Sequence, residues 1–190
     1  MSPIQNAVQT FLKELSTLPP GPEGHSRLDN ILTPALQAEE QLRTLFAVQP
    51  KDQLDPQILS NPFIGLIDLF AIDPSTLLTR ERNVQGSNFD AYFIFPLDEK
   101  HRRRDGVPST VDTLQQFHQN WHMFSFGALS KLTNWSNIIV AGGSVLACLS
   151  PGFPAPEGKD LMDVYQSDTY RISDIDVFLW GLSAEQVSTH

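Results

Sequence analysis

Cysteine is nearly absent from the chain: Cys148 is alone among 190 residues, so no disulfide can form within it. A reducing, cytoplasmic setting is expected of such a sequence. Cations are scarce too. Thirteen Lys and Arg against 22 Asp and Glu leave a formal net charge of −9. Non-specific affinity for nucleic acid comes from cationic neutralisation of phosphates, so no general nucleic-acid binding is expected. Long apolar runs are missing as well. The longest, 138–149, is interrupted by Gly142 and Gly143, whereas a membrane helix needs roughly 20 apolar residues. The opening MSPIQNAVQTFLKEL has no basic leader and no continuous apolar segment, so it does not read as a signal peptide, and no membrane partner is expected.

What is present is enough apolar material for a core, 41% of residues, in a length that suits one domain or one domain with an appended helical part. Ile4, Val8, Phe11, Leu12 and Leu15 form a helical stripe. LPPGPEG, 18–24, breaks it. A second helical pattern runs from Leu28 through Ile31, Leu32, Leu36, Leu42 and Leu45 to Phe46. Pro34 either kinks it or opens it behind a Thr33 cap. Residues 58–72 read as a short buried helix opened by Asn61-Pro62, and Asp73-Pro74 as the start of a new turn or helix.

Residues 79–90 read as a polar loop, and 91–110 as a short strand-like run followed by the basic cluster Lys100 to Arg104. Ser109 or Thr110 is placed to cap a helix through Val111, Leu114, Phe117, Trp121 and Phe124. The expectation is an α+β chain, with a helical region over 1–90 and a second part over 91–190 that carries the β pattern and an inserted loop at 150–170.

Chemistry is concentrated in the second part. NIIVA, 137–141, is a β-branched run suited to a fully buried strand. Gly142 and Gly143 then permit close backbone approach, and Ser144 opens the short helical run VLACL. A strand, a glycine turn and a helix start aim free N–H groups at one point, which suits phosphate oxygens, with the Ser144 hydroxyl as a further ligand. The plain alternative is a tight turn that needs glycine for packing alone. In SDIDVFLW, Asp174, Asp176, Phe178 and Trp180 share one face of a strand. Its two carboxylates lie about 7 Å apart, within reach of a shared divalent cation. Two hard oxygens completed by phosphates are what Mg²⁺ accepts. The alternative is a solvated strand start.

Gly-Gly-Ser after one strand and Asp-x-Asp on the next resemble the signature of the nucleotidyltransferase superfamily that includes DNA polymerase beta. More closely, FIFPLDEKHRRRDGVPS, NWHMFSFGALSKLTNWSNIIVAGGSVLACLSP and YRISDIDVFLWGLSAEQ resemble a group of largely uncharacterised fungal proteins often described with ankyrin repeats, over about residues 90–187. The resemblance implies a partial nucleotidyltransferase-like core in which Gly142, Gly143 and Ser144 hold the triphosphate of a nucleoside triphosphate. Asp174 and Asp176 would be the catalytic, Mg²⁺-binding pair, set for in-line attack at the α-phosphate. Lys100, Arg102, Arg103 and Arg104 would be phosphate clamps or a solvated basic loop, and Tyr165 and Tyr170 would stack on a base or pack internally.

Two features depart from an active transferase. The interval between Ser144 and Asp174 is far longer than the superfamily's usual link, although loop entropy grows slowly with length. The superfamily's third carboxylate comes from a later strand, and the sequence stops at His190 before one. Asp160, Asp163 or Asp168 would have to substitute. The expectation is therefore Mg²⁺-dependent nucleotide binding or transfer to an unknown acceptor, inactive alone for want of the third carboxylate; the alternatives are a non-catalytic nucleotide- or protein-binding module, or a truncated piece without independent activity that awaits a downstream domain. Such a piece would leave strand 174–180 with an unpaired apolar edge. His118 and His122, four apart, have helical metal-binding spacing, but HQNWH lacks the glutamate of a zinc peptidase.

Overall fold

The computed structural model describes residues 3–19, 21–49, 53, 54, 56, 61, 63–79, 103, 104, 106–151, 160–167, 170 and 173–187. The chain divides into two compact units, 1–108 and 109–190. The sequence pattern puts the change at 90; residues 80–102, with the strand-like run, Lys100 and Arg102, lie outside the described ones.

In the first unit, helix α1 (Pro3–Leu15) packs against helix α2 (Gly21–Val48). The break between them is short, with Leu18 buried in it. α2 starts earlier than its leucines indicate and runs unbroken through Pro34, so Pro34 neither opens nor ends it. Pro34 lies on the exposed side, and one turn back the Thr33 hydroxyl donates to the Asp29 carbonyl (2.6 Å). Gly24, Leu28, Ile31, Ala35, Ala38, Leu42 and Leu45 make the covered stripe, whereas Leu36 and Phe46 face outward.

The buried helix expected over 58–72 is not what forms. Among its described residues, 63–65 make a turn, and only Leu69–Ala71 is helical, as a 3₁₀ turn capped by Asp68. Phe63 is 72% exposed. Gly65 has φ +78°, and a Cβ there would lie 3.3 Å from Ile4 Cγ2. The apolar run therefore presses a tight turn against α1, not a helical face. Asp73-Pro74 does open a 3₁₀ turn, Pro74–Thr76. The Ser75 amide donates to the Asp73 carboxylate (2.9 Å), which holds that carboxyl below its usual range.

The second unit mixes helices with a small antiparallel sheet. Helix α3 (Leu114–Phe124) is capped by Thr113, which accepts from the Gln116 amide (3.1 Å), and not by Ser109 or Thr110. Strand β1 (Ile138–Ala141) leads through Gly142 into helix α4 (Gly143–Leu149). β1 is only partly covered, since Ile139 is exposed, and so is not the fully buried strand its composition indicates. Within the segment read as an inserted loop, Leu161–Tyr165 forms helix α5, opened by a reciprocal capping box between Asp160 and Asp163. Strand β2 (Asp176–Leu179) pairs with β1, and helix α6 (Ala184–Val187) follows. The register sets Ile138 against Leu179 and Ala141 against Asp176. Among the described residues the sheet has these two strands alone.

The core of this unit is Phe124, Ala147, Cys148 and Tyr165, with Phe117, Trp121, Leu161, Tyr170 and Ile175 against it. Phe124 meets Tyr165 edge-on at 5.5 Å and Tyr170 at 6.1 Å, so both tyrosines are packing residues. α4 is too short to be stable by itself. Its last four carbonyls all find donors. Leu146 accepts from the Ser150 amide, Ala147 from the Tyr165 hydroxyl (3.5 Å), Cys148 from Asn120 Nδ2 (2.9 Å) and Leu149 from the Val111 amide (2.8 Å). Asn120 is 2% exposed. Asn120→Ala leaves a buried carbonyl without a donor and is expected to cost about 2–3 kcal/mol in denaturant unfolding. A loss below about 0.5 kcal/mol, the level of an ordinary surface change, would show that this bond does not hold the helices together.

Cys148 is fully buried, and burial pushes its thiol up to about 12. Burial raises the Tyr165 phenol as well. The folded thiol stays protonated where an unfolded one ionises. Its contribution to stability is therefore complete below the ordinary thiol range and lost as pH climbs through it toward 12. Native protein at pH 8 should react with a thiol-alkylating reagent at least about 100-fold more slowly than denatured protein. Equal rates would contradict the burial.

Candidate functional site

The β1–β2 ladder ends by setting Ala141, the last residue of β1, opposite Asp176, the first of β2. This lays the Asp176 side chain over Gly142. A Cβ at Gly142 would overlap the Asp176 carboxylate oxygen and lie 3.5 Å from its Cγ. Gly142 also has φ +87°, a conformation that side chains of L-residues rarely adopt. The positive φ makes glycine required there, and a Cβ would also displace the exposed Asp176 carboxylate. Gly143 is different: a Cβ on it would meet nothing within 4 Å, so open space stands over the turn.

Gly142 occupies the N-cap position of α4, and no side chain caps the helix. The first-turn N–H groups have no intrahelical acceptor. Ser144, in that turn, is 2% exposed, and its Oγ is a buried polar atom with no hydrogen-bond partner. Such an atom costs about 1–3 kcal/mol. The Asp176 carboxylate is exposed. So Gly142, Gly143, Ser144 and Asp176 come together at one end of the ladder. Asp174 is exposed and lies two residues ahead of β2, outside the ladder.

The other sequence candidates lie elsewhere. Asp160 and Asp163 are occupied with each other's backbone amides (2.9 and 3.0 Å), and Asp168 lies outside the described residues. Arg103 and Arg104 belong to the other unit. No three His, Cys, Asp or Glu gather as a metal-holding group among the described residues. No helix among them is long and apolar enough to cross a membrane.

A feature the sequence reading missed is a cleft of about 460 Å³ lined by α3, by the segment after it, and by Val140 and Val145 beside the glycine turn. Its walls include Phe117, Trp121 and Trp135, and His118 and His122 stand at its edge. The signal was the i, i+4 repetition of both an aromatic pair and a histidine pair along one helix. Compared with protein-family models, curated proteins and solved structures, the chain has no match.

The contact between Gly142 and Asp176 is directly measurable. Gly142→Ala should destabilise the fold by about 2–4 kcal/mol, through positive φ and the collision together. Asp176→Ala alone should change little, and in the double variant the collision is relieved. The two changes should therefore couple by about 1 kcal/mol or more. Strictly additive losses would place the carboxylate away from the turn.

Proposed function

We propose that residues 109–190 form a nucleotidyltransferase-like module that binds a nucleoside triphosphate with Mg²⁺ at the Gly142–Ser144 turn and does not transfer it. The observation that carries this reading is the contact between Asp176 and Gly142. Two motifs far apart in sequence become one place, and the carboxylate lies against backbone whose amides lack acceptors.

The donor set suits the ion. Asp176, with Asp174 two residues before it, supplies hard oxygens, and Mg²⁺ prefers few protein ligands completed by phosphate oxygens and water. Bound there, the cation offsets the repulsion between carboxylates and phosphates. The first-turn amides of α4 would donate to phosphate oxygens in the open space over Gly143. A change of rotamer at Ser144 would carry its orphaned hydroxyl to the same oxygens, recovering the hydrogen bond that its buried position lacks. The proposal stops at binding because Asp174 and Asp176 are joined by no further ligand among the described residues.

Calorimetric titration of the whole chain with ATP, GTP, CTP and UTP, with and without Mg²⁺, tests this. Saturable, Mg²⁺-dependent binding of at least one nucleotide is expected, weakened at least about tenfold in Asp174→Asn/Asp176→Asn, as the loss of a charge-assisted interaction implies. Ser144→Ala should weaken binding while raising the stability of the free protein by about 1 kcal/mol, because it removes an unsatisfied group. Absence of heat from a folded sample with all four nucleotides would refute the reading.

A further inference from the structure

The cleft beside α3 is also lined by Val140 and Val145, which flank the glycine turn, but its rings and imidazoles come from α3 and the segment after it. Its volume of about 460 Å³ falls within the range of small-molecule sites, roughly 300–1,000 Å³. One wall is a ladder of rings along α3. Phe117 and Trp121 lie nearly parallel with centroids 6.3 Å apart, and Trp121 and Phe124 continue the stack at 6.5 Å. Phe124 is buried in the core, so the ladder is anchored at its inner end and offers a rigid flat surface at its outer end. Trp135 faces it from the following segment.

Polarity in the cleft has one character. Among the described residues the lining contains no Asp, Glu, Lys or Arg, and its ionisable groups are the imidazoles of His118 and His122. In a chain of net charge −9, a lining without a carboxylate among its described residues is a local exception. The hydroxyls of Ser125 and Ser130 already donate to the Trp121 and Gly127 carbonyls, both at 2.7 Å, so they are not the free donors here. Neither histidine makes an ion pair among the described residues. His122 is held in place from below, because Gly127 turns under it at φ +67° and a Cβ there would lie 3.0 Å from His122 Cε1. His118 leans edge-on against Phe117 at 5.8 Å.

We propose that this cleft binds a planar aromatic anion, its ring system against Phe117 and Trp121 and its acidic group between His118 and His122. The aromatic walls select flatness, since stacked and edge-on rings gain energy beyond simple burial. Imidazoles donate to an anion and bind it more strongly still when protonated, whereas a cationic ligand would find no carboxylate. The proposal stands whether or not the glycine turn holds a nucleotide.

Ligand-observed NMR titration of the full chain with 2-naphthoate, and with its neutral analogue 2-naphthamide, provides the test. Naphthoate should bind about tenfold more tightly than the amide, the difference between a charged and a neutral hydrogen bond. In His118→Gln/His122→Gln that preference should disappear while the amide's affinity is unchanged; both histidines are exposed, so the fold should tolerate the change. Trp121→Leu should weaken both ligands. Binding of neither, equal affinity for both, or a preference that survives loss of the histidines would each overturn the proposal.

Discussion

The carbonyl end of α4 is the constraint on which the second unit depends. A seven-residue helix has nearly as many unsatisfied backbone groups as satisfied ones. Here three different elements reach in to pair its last carbonyls: Asn120 from α3, Tyr165 from α5, and the backbone of Val111 ahead of α3. Each of these bonds is inside or beside the cluster around Cys148, where the loss of a partner leaves a polar atom far from water. The aromatic packing of Phe124 on Tyr165 and Tyr170 then closes around a helix whose position is already fixed. Hydrophobic burial supplies the driving force, and the hydrogen bonds decide which arrangement buries it.

The two ends of this helix are treated in opposite ways. Its C-terminal carbonyls are fully paired, while its N-terminal turn has no side-chain cap and encloses a hydroxyl with no partner. Asp176 is at that same end, pressed over a glycine that tolerates no side chain. A fold that satisfies one end through three separate tertiary contacts has no general shortage of donors and acceptors. The unsatisfied end is therefore a local property of the turn. The neighbouring cleft has the reverse composition, aromatic and without a carboxylate among the described residues.

Much of the architecture was legible because it is written locally. The α1 stripe, the Asp73-Pro74 turn, both strands and the glycine turn each depend on a few adjacent residues. The α+β character followed from them. What escaped depends on distant partners. The 58–72 run is as apolar as a buried helix, but Gly65 meets Ile4 of α1, a contact that no local pattern contains. Pro34 is permitted within α2 by its place on the exposed side. α5 lay hidden in a stretch rich in proline and glycine. The Asp160–Asp163 box was its only sequence mark, and burial of Tyr165 its actual support. Thr113 caps α3 in preference to Ser109 and Thr110 because the Val111 amide is bonded to Leu149, which keeps that segment outside the helix. At the candidate site the residue types were readable. The overlap of Asp176 with Gly142 was not, because it follows from a strand register.

That register raises the question of what holds so small a sheet. Two strands alone are marginal in water, and every residue of β2 is exposed. The ladder must then be secured at its ends. At one end the Trp180 amide donates to the Asn137 carbonyl (3.0 Å), and Gly181, at φ +68°, makes room for the Asn137 side chain. At the other, Ile175 packs on the core just ahead of Asp176, whose carboxylate lies on Gly142. The sheet is thus anchored at the candidate site itself. If a ligand binds at the turn as proposed, sheet stability and its occupancy are linked quantities, each favouring the other to the same degree.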